Sequence, residues 1–436
     1  MADIRPFRAF RYDPRRVRLD QVVTQPYDKI SPALQEQYYA ASPYNLVRVI
    51  LGRSEASDNP ANNVYSRAAA AFRDWRSDGI LHQDSSPSLY RYSQSFTLPE
   101  LLGKSGTKVE RQGFIAVGRV EEYSAGVVYR HEQTLSKPKA DRLELLGSTR
   151  AHFGQIFMLY EDSGQIDALF STDAPPNIEV SDEYGVVHRI WQVCDADLIH
   201  SVCAAMQDKK LIIADGHHRY ETALNYRNQR RKENPPSQPD APYEFAMMTF
   251  VNMNSPALTI LPSHRVVHSL NGFSDEVFYK SARAYFDIDG VEASLDASRA
   301  MAMLGEAGRS GTSLLAVSGE RAFLLHHPNP NASEVFGGIS LRQQSLDVVQ
   351  LHKVLLEHVL HLSEESIRNQ QNISYVRDAA EAISSVRGGK ANITFLMNPC
   401  RIAQVREIAF AGEVMPQKST DFYPKLLSGL TIYALD

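Results

Sequence analysis

Cysteine is scarce: Cys194, Cys203 and Cys400 are the three thiols in 436 residues. Without a CxxC pair they cannot build a disulfide framework or a cysteine-based zinc site, and they suit a reducing compartment as buried free thiols. No run of 18 apolar residues is present, which argues against a membrane-spanning helix. The opening MADIRPFRAFRYDPRRVRLD is studded with Arg and Asp and lacks an apolar h-region, so a chain without a secretory leader, in the cytoplasm, is expected. An excess of positive charge is also missing. Forty-six Lys and Arg against 51 Asp and Glu leave a net charge of −5, so no overall field draws the chain to nucleic acid, and any anion site has to be local. GxGxxG and GxSxG are absent, which removes the usual support for a dinucleotide fold or a hydrolase elbow. GEAGRSGTS at 305–313 imitates a phosphate loop, but it lacks the Lys and joins helix to strand rather than strand to helix.

What is present is ordinary globular material, 43% apolar and 22% charged. At about 150 residues per domain the length allows two to four domains. Residues 61–82 carry Val64, Ala68, Phe72 and Trp75 on one helical stripe. Between 88 and 130 two alternating stretches flank a turn-rich segment and predict a long antiparallel hairpin. SKPKADRLELLGSTRA reads as a helix and QIFMLY as a strand. HRIWQV, DADLIHSVCAAMQ, LIIAD and HHRYETALNYRNQRRKE then alternate strand and helix. AMMTFVNM and LTILPSHRVV read as two further strands. Past residue 270 an α/β rhythm resumes, including an amphipathic helix at 346–360. The expectation is a mixed α/β protein with mixed sheets, divided near 270 into domains 1–270 and 271–436.

LIIADGHHRYETAL, residues 211–224, carries the most chemistry. An apolar strand runs into Asp215 and Gly216, and a helix opens with His217, His218 and Arg219 at its mouth. Free backbone N–H groups and the positive helix end favour an anion there, and the three side chains add donors of the kind phosphate takes. Asp215 fits a metal ligand, a partner for a histidine, or a plain helix cap. RHEQTLSKPKADR at 130–142 offers His131 and Glu132 as base or metal ligand, and Lys137, Lys139 and Arg142 as phosphate contacts, unless it is a solvated charged loop. QPYDKI presents Asp28 in a Pro-bounded turn, as a base, a cation ligand or an Asx-turn residue. Near the end, MPQKSTDFYPKLLSGL crowds Ser419, Thr420 and two lysines, Lys425 among them, into a loop that either folds back over a site or docks structurally. His264 and His268, and His352, His358 and His361, lack the spacing or partners of a zinc site.

Together IRPFRAFRYDP, PYDKI, RHEQTLSKPKADRLELL, ADGHHRYETAL, LPSHRVV and MPQKSTDFYPKLLSGL resemble the bacterial and archaeal family catalogued as domain of unknown function 1015, over nearly the whole chain. Locally, ADGHHRYETA is similar to the phosphate-binding motif of the ParB and sulfiredoxin superfamily, whose free serine kinases carry a DGHHR-type sequence. The resemblance implies a ParB/sulfiredoxin-like nucleotide-binding core with a long hairpin insertion, plus a C-terminal α/β domain whose final loop returns to the site. It implies a nucleotide-dependent phosphotransferase, using ATP or ADP and a divalent cation such as Mg, acting on a small hydroxyl metabolite such as serine. Asp215, Gly216, His217, His218, Arg219, Lys137 and Lys425 would bind phosphate, His217 and His218 would also serve catalysis, and Asp215 would hold the metal. Asp28 or Glu132 would orient or deprotonate the hydroxyl. Two other functions use the same residues: a non-catalytic nucleotide-responsive binding protein of ParB type, and a phosphoester hydrolase. NYRNQRRKE at 225–233 is the one candidate for a basic recognition helix. An oligomer is compatible with everything above.

Overall fold

The alternation between Leu89 and Arg119 folds into the expected hairpin. Strands Leu89–Thr97 and Lys108–Arg119 pair antiparallel from Tyr90 opposite Ile115 to Thr97 opposite Lys108. Successive side chains of a strand point to opposite faces. Here both faces are covered, since Phe114, Ile115, Ala116 and Val117 are all buried. The computed structural model describes residues 2–99, 106–133, 136–233, 239–292, 294–329 and 334–436, with side chains outside 136–139. The hairpin sits inside a nine-stranded sheet in the order Val128–Tyr129, Leu211–Asp215, Ile156–Tyr160, Phe245–Asn252, Lys108–Arg119, Leu89–Thr97, Val187–Val193, Ile178–Ser181, with Ile4–Arg5 also on Lys108–Arg119. The sheet is mixed. Phe245–Asn252 runs parallel to Ile156–Tyr160, and Leu211–Asp215 is antiparallel to that same neighbour.

One face of this sheet buries Phe114, Met158 and Ile213 against Tyr220, Ala223 and Leu224 of the helix His217–Glu233. Those three helical residues, at i, i+3 and i+4, are the stripe expected to dock it. The other face contributes Tyr92, Ile115 and Phe157 to a core completed by residues from far along the chain, among them Leu355, Phe422, Leu426 and Leu430.

A second, six-stranded sheet is antiparallel throughout, in the order Asp287–Val291, Ala322–His326, Ser313–Ser318, Ile393–Met397, His264–Val267, Ile373–Val376. LTILPSHRVV is therefore not one strand. Pro262 has no N–H to give a ladder, and the segment breaks there: Thr259–Leu261 pairs with Asp421–Tyr423, while His264–Val267 enters the second sheet. The amphipathic stretch at 346–360 begins as an α-helix at Asp347–Gln350 and continues as a π-helix over Leu351–Val359, with the Leu360 N–H donating to the Leu355 carbonyl. Its apolar face, Leu351, Val354, Leu355 and Val359, is buried as the periodicity demands.

Residues 415–434 stitch the molecule together. Met415 bridges to Glu132, Asp421–Tyr423 pairs with Thr259–Leu261, Ser428 with Thr24, Ile432 with Phe10, and Tyr433–Ala434 with Ala151–His152. The fold is thus mixed α/β, held by a C-terminal strap that touches both early and middle segments. Among the described residues no helix is long and apolar enough to cross a membrane.

Candidate functional site

Four buried residues carry the strand Leu211–Asp215 to its end, where Asp215 emerges beside the cleft. Gly216 follows at φ +91°, and a Cβ there would lie 3.1 Å from the Arg219 guanidinium carbon. Glycine meets both demands, an unusual backbone and a close approach. The helix then opens at His217, and Arg219 folds back over the turn instead of reaching into solvent. Its Nη2 donates to Asp215 Oδ2 at 2.7 Å and its Nη1 to the Gln155 carbonyl.

The other oxygen of Asp215 accepts from Lys425 Nζ at 3.0 Å. Lys425 also lies 3.0 Å from Asp421 Oδ1, and Asp421 is gripped in turn by both Nε and Nη2 of Arg377. Arg219, Asp215, Lys425, Asp421 and Arg377 form a ladder of alternating charge, three cations around two carboxylates. Burial raises the pKa of Asp215, but the charges of Lys425, Arg219 and Lys29 outweigh it and hold the carboxyl well below its usual range. Burial likewise works against Asp421, yet Lys425 and Arg377 bring it down to about 2. Lys425 is held above the ordinary lysine range, its burial overcome by the two carboxylates. Charges this well paired are fixed in place.

Lys425 is positioned from behind. The fully buried Arg111 donates to the carbonyls of Tyr423, at 3.1 Å, and Pro424, at 2.6 Å, and Gln94 donates to the Lys425 carbonyl at 2.8 Å. Both come from the long hairpin, so its buried polar residues hold the strap that carries the lysine.

A cleft of about 630 Å³ opens over the ladder. Asp28, Glu132, Asp215, Gly216, His217, His218, Arg219 and Lys425 all line it, so residues from four separate sequence segments meet. Lys137 and Lys139 lie outside the residues whose side chains are described. Arg142 lies apart from this lining, its guanidinium 4.3 Å over the Tyr27 ring and bonded to the Ile50 carbonyl. Asp28 occupies a short 3-10 turn, Tyr27–Lys29, and is exposed. Glu132 Oε1 accepts from the Lys418 N–H at 3.0 Å, and burial raises its pKa. His217 is buried, its Nε2 has no hydrogen-bond partner among the described residues, and its ring stands 4.7 Å from that of His131. Burial and the neighbouring imidazole hold its pKa well below the usual value. At neutral pH it supplies an N–H and no charge.

Sequence reasoning missed three members. Lys29 follows Asp28 directly, lines the cleft, and makes no ion pair among the described residues; burial and Lys425 lower its pKa. Asp421 stands four residues before Lys425, a spacing that was there to be read. Arg377, at the end of the strand Ile373–Val376, had no signal, because its role depends on the second sheet abutting the strap. Counting Lys29, Arg219, Arg377, Lys418 and Lys425 against Asp28, Glu132, Asp215 and Asp421, five cations face four carboxylates. A chain of net charge −5 concentrates one excess positive charge here.

The three arginines of the basic segment at 225–233 are paired where they lie. Arg227 pairs with Glu122, Arg230 with Glu233 and Arg231 with Glu244. Outside the cleft, Asp287, His326 and His327 bring ligand-type atoms within 4.8 Å of one another, with His326 bonded to Asp289 and His327.

Fold and cleft together define a mixed α/β protein with a cationic, carboxylate-rimmed pocket at a strand-to-helix turn. The chain belongs to the family described as Protein of unknown function (DUF1015), whose sequence model matches residues 4–349. No curated protein matches it. Solved structures similar to it include a conserved hypothetical protein from Pyrococcus furiosus, at 13% identity and TM-score 0.34, covering 68% of this chain and 86% of that one. A free serine kinase in complex with AMP is 14% identical at TM-score 0.34, covering 68% and 83%. SbnI from Staphylococcus aureus, truncated at its C-terminus, is 8% identical at TM-score 0.35, covering 72% and 85%.

Proposed function

We propose that the chain is a nucleotide-dependent phosphotransferase that moves a phosphoryl group from ATP or ADP to a small hydroxyl metabolite, with free serine the first acceptor to try. The observation that supports this most is the charge ladder at the mouth of the helix His217–Glu233. It joins a helix N-terminus to fixed cations in a cleft large enough for a nucleotide and a small acceptor. Phosphoryl transfer demands mainly positioning and charge stabilisation, and preorganised donors are what the ladder offers. In this reading the Gly216 amide, His217, His218 and Arg219 cradle the phosphoryl group. Lys425 and Lys29 balance its charge, and Lys137 joins them.

Of the four carboxylates in the cleft, Asp28 and Asp215 are the oxygen donors that would suit a hard divalent cation such as Mg²⁺. Asp215 would share its oxygens with Arg219 and Lys425, which already engage both, so Asp28 completes the set and Glu132 stays outside it. When bound, the cation neutralises phosphate charge. Glu132 takes the acceptor's proton, since its raised pKa brings it closer to neutral pH, where a base works best. Asp28 orients the hydroxyl. Residues 1–270 supply the catalytic unit in this reading, and the later segment supplies Arg377, Asp421 and Lys425.

Purified protein with labelled ATP or ADP, Mg²⁺ and a pool of small metabolites including serine tests the reading. Label on a hydroxyl metabolite supports it, label released as free phosphate replaces it with phosphoester hydrolysis, and binding without turnover replaces it with a nucleotide-responsive binding protein. Absence of nucleotide binding overturns all three, and Arg219→Ala is expected to weaken binding.

A further inference from the structure

Thr420 reaches the cleft on the strap, and a base stands behind it. Its Oγ1 lies 2.8 Å from His131 Nε2, while Nδ1 of the same ring lies 2.8 Å from the Ile213 carbonyl. A carbonyl only accepts, so Nδ1 carries the proton and Nε2 presents its lone pair to the threonine hydroxyl. The ring is fully buried. Thr420 itself is half-buried and lines the same cleft as Lys29, Lys418 and Lys425.

Docking the strap does not need this contact. The Met415 N–H already donates to the His131 carbonyl at 2.8 Å, and the Lys418 N–H to Glu132. A hydroxyl, a base and a group that fixes the base's tautomer are the parts of an activated nucleophile. A base in hydrogen-bond contact with the hydroxyl meets the need of a transfer whose transition state is largely dissociative and asks little of the attacking oxygen.

We propose that Thr420 is a phosphorylation site served by its own cleft. With no small acceptor bound, the terminal phosphoryl group of a nucleoside triphosphate passes to Thr420. The bond between phosphorus and Oγ1 forms, the bond to the bridging oxygen breaks, the nucleoside diphosphate leaves, and the threonine proton goes to His131 Nε2. The inference rests on the nucleotide-binding reading above. A phosphate at residue 420 occupies the acceptor's part of the cleft, so the modified protein is switched off until it is dephosphorylated.

The test incubates the full chain with γ-labelled ATP and Mg²⁺ without acceptor, maps the label by mass spectrometry, and measures ATP binding in parallel by calorimetry. Phosphothreonine at 420 is expected. Thr420→Ser should keep the label as phosphoserine, Thr420→Val should lose it, and His131→Gln should slow labelling about 100-fold while ATP still binds. ATP binding with no label at residue 420, or with labelling that survives Thr420→Val, overturns this inference and leaves the phosphotransferase reading standing. Absence of ATP binding overturns both.

Discussion

Lys425 is 8% exposed and touches two carboxylates, a position in which a lysine is costly to lose. Taking one partner out of a buried ion pair leaves an uncompensated charge, which costs about 3–5 kcal/mol, whereas replacing all partners with apolar groups is often neutral. Lys425→Met leaves Asp215 with Arg219 and Asp421 with Arg377, so it is expected to lower stability by less than that cost, about 1–3 kcal/mol in urea unfolding. Lys29 is the opposite case, a cation facing the cleft with no ion pair among the described residues. Lys29→Ala should weaken ATP binding about tenfold, roughly 1.4 kcal/mol, with an unfolding midpoint close to that of the parent chain. Glu132 adds a pH signature. The base must be ionised, and burial raises its pKa, so the acid limb of turnover should lie above the ordinary carboxylate range and shift or vanish in Glu132→Gln. A limb at the usual Glu value would remove Glu132 from the role of base.

Among the elements, the long hairpin does more than fill the sheet. Arg111 and Gln94 reach across it to the carbonyls of Tyr423, Pro424 and Lys425, so a change in the hairpin is felt at the ladder. Arg111→Ala takes its donors from the Tyr423 and Pro424 carbonyls, at about 1–3 kcal/mol each. It should lower stability and weaken nucleotide binding even though Arg111 does not line the cleft; a calorimetric titration showing unchanged affinity would dismiss the positioning role. The strand-turn-helix at 211–224 was legible because an apolar run, Asp-Gly and an amphipathic helix are all local signals. The convergence of Asp28, Glu132 and Lys425 on it was suggested only by resemblance and by chemistry-bearing residues in loops. Arg377 was illegible, because nothing in ISYVR reports that two sheets and the strap meet there. The alternation of strand and helix from 187 to 233 carries no pairing order, and Val187–Val193 and Leu211–Asp215 are not neighbours in the sheet. Periodicity identifies elements and their buried faces, while strand order is settled by long-range packing that no window of sequence contains.

For the molecule as a whole, buried neutral histidines set a pH dependence. His131 and His264 are fully buried, and burial brings each pKa down to about 4. Unfolded histidine titrates near 6.5, so between about 6.5 and 4 the unfolded chain binds more protons than the folded one. Stability is complete above that window and falls as the pH drops through it, by on the order of 1 kcal/mol per histidine per pH unit. Asp421, held at about 2 against the pull of burial, loses its contribution only at still lower pH. Guanidinium unfolding at pH 7.5 and 5 should show the loss, and a flat profile would mean that these imidazoles do not stay neutral in the folded state. The strap imposes a different constraint, on the order of assembly. Phe10 and Thr24 find their partners at Ile432 and Ser428, some four hundred residues downstream, and the ladder needs Lys425. During translation the first sheet's strands emerge long before the residues that complete the pocket, so a nascent or prematurely terminated chain carries the DGHHR turn without its counter-charges. The pocket is therefore complete only once residues 415–434 have been made, and a product cut short before them lacks Lys425 and its counter-charges.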